Sequence, residues 1–502
     1  MSTLRLNLVS NFAGAGWLAV IQVVFVPVYI NLLGIEGYGL IGFYLTLQGV
    51  LRVLDFGLTP TVNRALARYS VLGGQADEAR DFARTFEAIY WLIGMLVGLL
   101  VWMAAPMIAQ RWIKPGSLPT GTLLSAVRSM GVLAALQWPL SFYQGGLLGL
   151  QRQSLLNVVK GGMSTLAAIA GVLVLWIVAP SVTLFFRAQI AVNTVHVVVM
   201  GWLLWRSLPA TGARPRVAPK LFFGVYRFAA GMSGITLCSL ILTQADKIVL
   251  SKLLSLELFG YYTLAGVLGN ALAAVNAPIF NAIFPRFTAL VAVGDDGTVA
   301  RLFRLGSQWV AVVTVPTTIV IALFSLEIMS LWTGSVSTAR NTAPLVSVLI
   351  IGSALNGLMN LPYALQLAHG WTGIGLRLNL FFVVTFVPAL LLAAGRYGAL
   401  GAAMAWTALN LIYVAVGVPA TRRRLFGDFG LEWFTDLGAA AGAALGVVVV
   451  WRALAFQPLS TPSTVLVLLA ALVTGTMAAA AVSPQVRKWS MGYVSSCLGR
   501  VA

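Results

Sequence analysis

Long apolar stretches separated by short polar connections run through the whole chain. Each stretch is continuous rather than alternating and about 20 residues or longer, which is the length a helix needs to cross a bilayer. The pattern predicts about fourteen spanning helices, at 9–31, 37–61, 85–109, 122–148, 161–180, 184–205, 225–253, 258–284, 305–333, 342–368, 372–394, 398–420, 435–456 and 463–483. We therefore expect an all-α, polytopic membrane protein.

The sequence also repeats itself at a shift of about 221 positions. The first matching block pairs Leu32, Leu33, Ile35, Glu36, Tyr38 and Gly39 with Leu253, Leu254, Leu256, Glu257, Phe259 and Gly260. The second block pairs Gly73, Ala79, Arg80 and Phe82 with Gly294, Ala300, Arg301 and Phe303. The shift carries the first span onto the seventh, so both copies cross the membrane in the same direction. The repeat predicts two parallel six-helix lobes around a central cavity, with two further helices at the C-terminus.

The repeat also predicts the domain boundaries. We expect an N-terminal six-helix lobe at 1–206, a cytoplasmic inter-lobe linker at 207–224, a C-terminal six-helix lobe at 225–424, and two extra helices with a cytoplasmic tail at 425–502. The linker contains Pro209, Pro215 and Pro219, which do not continue a helix.

Composition and charge narrow the function. The chain is 59% hydrophobic and 9% charged, with a net charge of +18. Most of its 32 Lys and Arg residues fall in alternate loops, which predicts a cytoplasmic location for both termini. The same distribution explains the positive net charge without a nucleic-acid partner. The two cysteines, Cys238 and Cys497, form no disulfide framework, and the two histidines belong to no metal-binding motif. We expect no cofactor, no metal and no enzymatic activity.

Charged and amide side chains inside the predicted spans are the candidate functional residues. The candidate substrate-binding cations are Arg52, Arg128, Lys247 and Arg377, and the candidate cavity or coupling residues are Asp55, Asp246, Asn276, Asn356 and Asn360. A charge near the bilayer centre costs about 2.5–3.5 kcal/mol, so such groups pair, extend to an interface or line a wet cavity. Three alternatives stay open: an ion pair between Arg52 and Asp55, arginines that extend to the membrane surface, and amides that only join helices.

Several short motifs resemble those of bacterial polysaccharide-unit flippases of the O-antigen type. They are the stretch NLLGIEGYGLIGFY from Asn31 to Tyr44, Asp55-Phe56-Gly57-Leu58, Asn63-Arg64-Ala65-Leu66-Ala67, and Asp246-Lys247-Ile248-Val249-Leu250 followed by Phe259-Gly260-Tyr261-Tyr262. These proteins form the polysaccharide-transport branch of the multidrug/oligosaccharidyl-lipid/polysaccharide exporter superfamily. The resemblance implies two lobes around a cavity, with Asp55, Gly57, Arg64 and Asp246 matching the family pattern.

The resemblance also implies the cargo and the location. It implies a flippase of the bacterial inner membrane that carries an undecaprenyl-pyrophosphate-linked glycan from the cytoplasmic to the periplasmic leaflet, with a polysaccharide polymerase and glycosyltransferases as further partners. Arginine suits a diphosphate because its planar fork of donors matches phosphate oxygens. A lipid II flippase and a multidrug or cation antiporter of the same superfamily are the alternatives. A membrane-embedded transferase is disfavoured because the loops offer neither catalytic carboxylates nor metal ligands. A purely structural membrane scaffold is disfavoured because it would not need charges inside its spans.

Overall fold

The computed structural model describes residues 3–53, 55, 57–71, 75–212, 214–223, 226–427, 431–455 and 461–488. These residues are almost entirely helical, which confirms the all-α prediction. Ten of the helices in the described part of the chain are long and apolar enough to cross a membrane. The chain is therefore a polytopic, helical membrane protein.

The helices fall into two compact units, Met1–Gly260 and Tyr261–Ala502. The first unit contains α1 (Thr3–Val53), α2 (Leu58–Val71), α3 (Ala76–Met107), α4 (Thr120–Gly149), α5 (Gln153–Leu173), α6 (Val182–Ser207), α7 (Pro219–Phe223) and α8 (Tyr226–Leu253). From α9 onward the helices are α9 (Leu256–Ala292), α10 (Asp296–Leu323), α11 (Ser325–Thr333), α12 (Val336–Leu358), α13 (Asn360–Ala368), α14 (Thr372–Phe426), α15 (Leu431–Leu454) and α16 (Thr461–Val482).

Two of these helices each contain two predicted spans. Gly34 interrupts α1 with a φ of 73°, and Gly398 interrupts α14 with a φ of 59°. In α14 a Cβ on Gly401 would overlap the carbonyl oxygen of Ala393. Eight residues of straight helix span about 12 Å, so the chain must turn back at Gly398. Glycine is needed at both breaks because other residues rarely adopt a positive φ.

The turn in α1 is shown by its aromatic contacts. The ring of Tyr29 lies 5.1 Å from that of Phe185, and the ring of Tyr44 lies 5.5 Å from that of Phe186. Tyr29 and Tyr44 would be about 22 Å apart along a straight helix, yet they contact adjacent residues of α6. The two turns raise the ten apolar spans to twelve, and α8 and α9 are also long enough to cross a membrane, so the described helices supply fourteen segments of spanning length.

The core of the first unit is formed by α3, α4 and α6 around buried aromatic rings. Phe82 and Phe86 stack at 4.4 Å between ring centroids, and Tyr90 contacts Phe142 at 5.4 Å. The buried carboxylate of Glu87 joins the same helices. It accepts hydrogen bonds from Tyr143 of α4 at 2.8 Å, from Trp205 of α6 at 3.0 Å and from Arg84 of α3 at 2.8 Å.

The two copies of the repeat motif meet at a reciprocal glycine contact within the first unit. A Cβ on Gly39 would overlap the carbonyl oxygen of Leu256, and a Cβ on Gly260 would overlap that of Ile35. Each of these Cβ positions also lies 3.3 Å from the backbone nitrogen of the other glycine. The shift of about 221 positions relates Gly39 to Gly260 and Ile35 to Leu256. Equivalent residues of the repeat therefore contact each other in the same way.

Polar contacts at both ends attach α15 to its neighbours in the second unit. Arg304 of α10 binds Asp436 at 3.1 Å and Glu432 at 3.0 Å, and Arg452 forms an ion pair with Glu327 of α11. All three pairs are partly exposed rather than isolated in the apolar core. The two predicted extra helices thus belong to the second unit.

The predicted domain boundaries stay a prediction. The compact first unit extends to Gly260 and includes α8, whereas the repeat divides the sequence at 207–224. The linker itself is fixed to α3: Arg80 Nη1 donates to the carbonyl of Pro209, and the backbone nitrogen of Arg216 donates to Asp81 at 2.6 Å.

We predict that Gly131→Ala destabilises the protein because α3 and α4 approach closely at this residue. A Cβ on Gly131 would lie 2.9 Å from the carbonyl oxygen of Gly98. Overpacking of this kind costs about 1–3 kcal/mol, so the unfolding temperature of the purified protein in detergent should fall by several degrees. Gly162→Ala is the matched control, because a Cβ there has no neighbour within 4 Å. Equal unfolding temperatures for the two variants would contradict the predicted contact.

Candidate functional site

A polar cavity of about 480 Å³ lies inside the first unit. Its walls come from both halves of α1, from the middle of α5 and from the first half of α6. The turn at Gly34 creates this cavity, because it folds the second half of α1 back beside the first. About half of the lining residues are apolar, and the polar ones are Gln22, Tyr29, Tyr38, Tyr44, Gln48, Arg52, Ser164, Gln189, Asn193 and His196.

Positive charge concentrates at one end of this cavity. Arg52 lines it and is exposed, and it lies close enough to Lys160 of α5 for their positive charges to repel each other. Lys160 is likewise within electrostatic range of His196, which is 8% exposed. The Nε2 atom of His196 is buried and has no hydrogen-bond partner among the described residues. The arrangement can hold an anionic group near Arg52 and a hydrogen-bonding ligand near His196.

The remaining walls carry neutral hydrogen-bonding groups held in place by local contacts. Gln48 Nε2 donates to the Tyr44 hydroxyl at 2.6 Å, and Gln189 Nε2 donates to the carbonyl of Ala167 at 2.9 Å. Asn193 Nδ2 donates to the Gln189 carbonyl at 2.8 Å. Each amide uses a nitrogen in these bonds, and the side-chain oxygen remains an acceptor that a ligand hydroxyl can use.

A smaller pocket of about 250 Å³ also includes Arg52 and lies beside α4. Gln137, Ser141 and Gln144 of α4 supply its other polar groups together with Asp55 and Thr59. Arg52 therefore stands between two polar spaces of the first unit, and its long side chain can serve either.

Asp55 holds the turn between α1 and α2. Its carboxylate accepts hydrogen bonds from the backbone nitrogen of Thr59 at 2.9 Å, from the Thr59 hydroxyl at 2.9 Å and from the Tyr90 hydroxyl at 3.1 Å. Gly57 has a φ of 74°, which breaks the helix at this point. Asp55 thus caps the start of α2, and no ion pair between it and Arg52 forms among the described residues.

The other candidate charges lie apart from this cavity. The Arg128 guanidinium lies 4.7 Å from the ring centroid of Trp102, a side chain that is 44% exposed on α3. Arg128 is nine residues, or about 13 Å, from Gln137 on the same helix. On α8, Asp246 is buried, and the Lys247 ammonium group donates to the carbonyl of Thr243 at 3.2 Å. The assignment of Arg128, Lys247 and Asp246 to a shared cavity stays a prediction.

The candidate amides of the second unit contact neighbouring helices. Asn276 is buried, accepts a hydrogen bond from the Thr314 hydroxyl at 2.9 Å and packs against Gly357. Asn356 donates to the side-chain oxygen of Asn410 at 2.8 Å and joins α12 to α14. These contacts match the interpretation of the amides as links between helices.

Two candidates remain to be placed. Asn360 begins α13, separated from Asn356 by the turn at Met359. The side chain of Arg377 lies outside the described residues.

Sequence reasoning missed most of the groups that line the cavity. Gln22, Gln48, Gln189 and Asn193 lie inside predicted spans but were not among the candidate residues. A run of amides on α1 and α6 is a usable signal, because an amide facing lipid costs free energy that an internal polar face avoids.

Comparison with known proteins finds relatives of this chain both in sequence and in fold. A family model described as "Polysaccharide biosynthesis protein" matches residues 6–291. The putative O-antigen transporter of Shigella flexneri is 20% identical over 383 residues, which cover 75% of this chain and 87% of that protein. These matches confirm the resemblance inferred from the motifs.

Solved structures show the same fold. A lipid II flippase, MurJ, in an inward closed conformation superimposes with a TM-score of 0.71 at 13% identity, covering 94% of this chain and 98% of that one. An inward-facing multidrug resistance transporter of the MATE family superimposes with a TM-score of 0.68 at 14% identity, covering 82% of this chain and 95% of that one.

Substitutions at Asp55 test whether this residue caps the start of α2. We predict that Asp55→Ala lowers the free energy of unfolding by about 1 kcal/mol, the usual loss when an N-cap is removed. Asp55→Asn should retain the stability of the wild type, because asparagine caps as well as aspartate. Thermal unfolding is measured for both variants. An Asp55→Asn protein as unstable as Asp55→Ala would contradict the capping role.

Proposed function

Since this chain belongs to the polysaccharide biosynthesis protein family, we propose that it is a flippase for an undecaprenyl-pyrophosphate-linked oligosaccharide. The cargo moves from the cytoplasmic to the periplasmic leaflet by alternating access, for the synthesis of a surface polysaccharide of the O-antigen type. The observation that carries this proposal is the cavity of the first unit, which combines the Arg52 end with uncharged polar walls.

The charge of the cavity suits a diphosphate. Among the described residues that line the cavity, Arg52 is the one with a charged side chain, and Lys160 lies within electrostatic range of it. A diphosphate carries negative charge and many acceptor oxygens, and a guanidinium offers several donors in a fixed plane. The described lining includes no carboxylate that would repel the cargo.

The neutral walls suit the sugar part of the cargo. Sugar hydroxyls both donate and accept hydrogen bonds, and amides offer both functions at one side chain. Gln22, Gln48, Gln189 and Asn193 provide such groups, and Tyr29 and Tyr44 add flat apolar faces beside them. A cavity made of these residues can bind different sugars, because hydrogen bonds to hydroxyls and contacts with ring faces do not depend on a charged group of the sugar.

The surroundings of the protein follow from the same cargo. We place it in the bacterial inner membrane with both termini in the cytoplasm, in agreement with the excess of Lys and Arg in the predicted inner loops. A polysaccharide polymerase and glycosyltransferases are its proposed partners, because they would use and make the lipid-linked unit. Catalysis of a chemical step by this chain is not part of the proposal.

The two alternatives from the same superfamily predict different features. A cation antiporter requires acidic groups where its cation binds, and the described lining of the first-unit cavity has none. A lipid II flippase shares the fold, so the nature of the cargo distinguishes it. The two cargoes are distinguished in a bacterium from which the gene for this chain has been deleted.

We expect that bacterium to accumulate lipid-linked repeat units on the cytoplasmic side and to lose its surface polysaccharide. Mass spectrometry of the polyprenyl-linked glycans and gel analysis of the surface polysaccharide measure these two effects. Accumulation of peptidoglycan precursor with normal surface polysaccharide would reject this cargo in favour of lipid II.

We predict that Arg52→Ala, expressed in the deletion strain, exports surface polysaccharide about tenfold or more slowly than the wild-type chain, because a charge-assisted hydrogen bond contributes about 1.5–3 kcal/mol. Arg52→Lys should retain part of the export, since the charge remains without the planar fork. Arg187→Ala is the control, because Arg187 is an exposed cation of α6 outside the cavity lining. Equal export by Arg52→Ala and the wild type, at equal protein levels, would remove Arg52 from the site.

A further inference from the structure

A third polar space lies at the other side of the first unit's α1–α2 turn. It is a cleft of about 420 Å³ between α2, the start of α3 and α7. Three cations lie in its lining: Arg64 and Arg68 from α2 and Lys220 from α7. Glu78 is the one acid in that lining. The cleft therefore carries excess positive charge, on the face that the basic-loop pattern predicts to be cytoplasmic.

The floor of the cleft is apolar. The half-buried ring of Tyr69 forms this floor, and it is supported from below by Phe82, which is 1% exposed and lies 5.8 Å away between ring centroids. Leu221 of α7 and Ala65 of α2 continue the same surface. A cleft with an apolar floor and a cationic rim matches an amphiphile with a negative head, rather than a fully hydrated ion.

The linker holds Lys220 in place. The backbone nitrogen of Ala218 donates to the Thr85 hydroxyl at 2.9 Å, and the backbone nitrogen of Arg216 donates to Asp81 at 2.6 Å. These bonds fix the linker on α3 immediately before Lys220. The lysine is thus presented to the cleft by an anchored segment, which reduces the entropy lost when a ligand binds.

Two of the three cations have capacity for a ligand. Arg68 and Lys220 make no hydrogen bond or ion pair with the residues that the structure describes. Both are exposed at the rim of the cleft. A phosphate group placed between them would receive donors from a guanidinium and an ammonium group, which are the two side chains that bind phosphate most often.

We propose that this cleft binds the phosphate group of a lipid at the cytoplasmic membrane surface. The cations hold the phosphate, and the exposed parts of Tyr69, Ala65 and Leu221 contact the first part of the apolar chain. The ligand chemistry is a phosphate or diphosphate joined to an apolar chain, which a membrane phospholipid and a polyprenyl diphosphate share. The site is separate from the Arg52 cavity, and it exists whether or not the proposed cargo is correct.

The test is direct binding to the purified full chain in detergent. Isothermal titration calorimetry is performed with farnesyl diphosphate, with a short-chain phosphatidylglycerol and with inorganic pyrophosphate. We expect both lipids to bind more tightly than pyrophosphate, because only they use the apolar floor. Stronger binding of farnesyl diphosphate identifies the polyprenyl source, and stronger binding of phosphatidylglycerol identifies the membrane source. Equal binding of pyrophosphate and both lipids would overturn the lipid assignment.

Substitutions locate the binding in the cleft. We predict that Arg68→Ala and Lys220→Ala each weaken lipid binding about tenfold, the loss expected for one charge-assisted hydrogen bond. Glu78→Gln should strengthen binding, because it removes the one acid from the lining. Arg152→Ala, at an exposed cation outside the cleft, should leave the affinity unchanged.

Thermal unfolding of each variant shows whether it remains folded, and all substituted side chains are exposed. The same affinity in Arg68→Ala, Lys220→Ala and Glu78→Gln as in the wild type would contradict the proposal. Because these measurements use the isolated protein, their failure leaves the result of the cellular export test unchanged.

Discussion

Backbone hydrogen bonding in lipid is the constraint on which this structure depends. The apolar chain has no water to satisfy its peptide groups, so its spans are helices and each reversal of direction must be short. Gly34 and Gly398 make such reversals inside α1 and α14, where a positive φ is required. The first of these turns brings two amide-bearing helix faces together. The polar cavity is therefore a consequence of how the chain reverses in the membrane.

Three cations of the first unit lie on the two helices that the turn at Asp55 joins. Arg52 ends α1, the Asp55 carboxylate and Gly57 form the turn, and Arg64 and Arg68 lie on α2 beyond it. The Asp55 carboxylate accepts hydrogen bonds from Thr59 and Tyr90 and forms no ion pair with Arg52 among the described residues. The donors of the Arg52 guanidinium therefore remain available to an anionic headgroup.

The sequence predicts helix number and position well because span length is set by membrane thickness. It also identifies Arg52 as a polar residue within a span. It does not reveal which face of a helix a residue occupies, since that depends on neighbours that are distant in sequence. Arg128 therefore lies over Trp102, Asn276 lies in a buried contact with Thr314, and the amides Gln189 and Asn193 of the cavity were missed.

The internal repeat has a steric explanation in one contact. Gly39 and Gly260 are equivalent positions of the repeat, and each receives a carbonyl oxygen from the helix of the other. A side chain at either glycine would separate the two backbones and thereby alter the surroundings of both. Because the contact is reciprocal, the requirement for glycine applies equally to the two copies of the motif. The match between the blocks thus reflects a mutual packing requirement as well as a common length of helix.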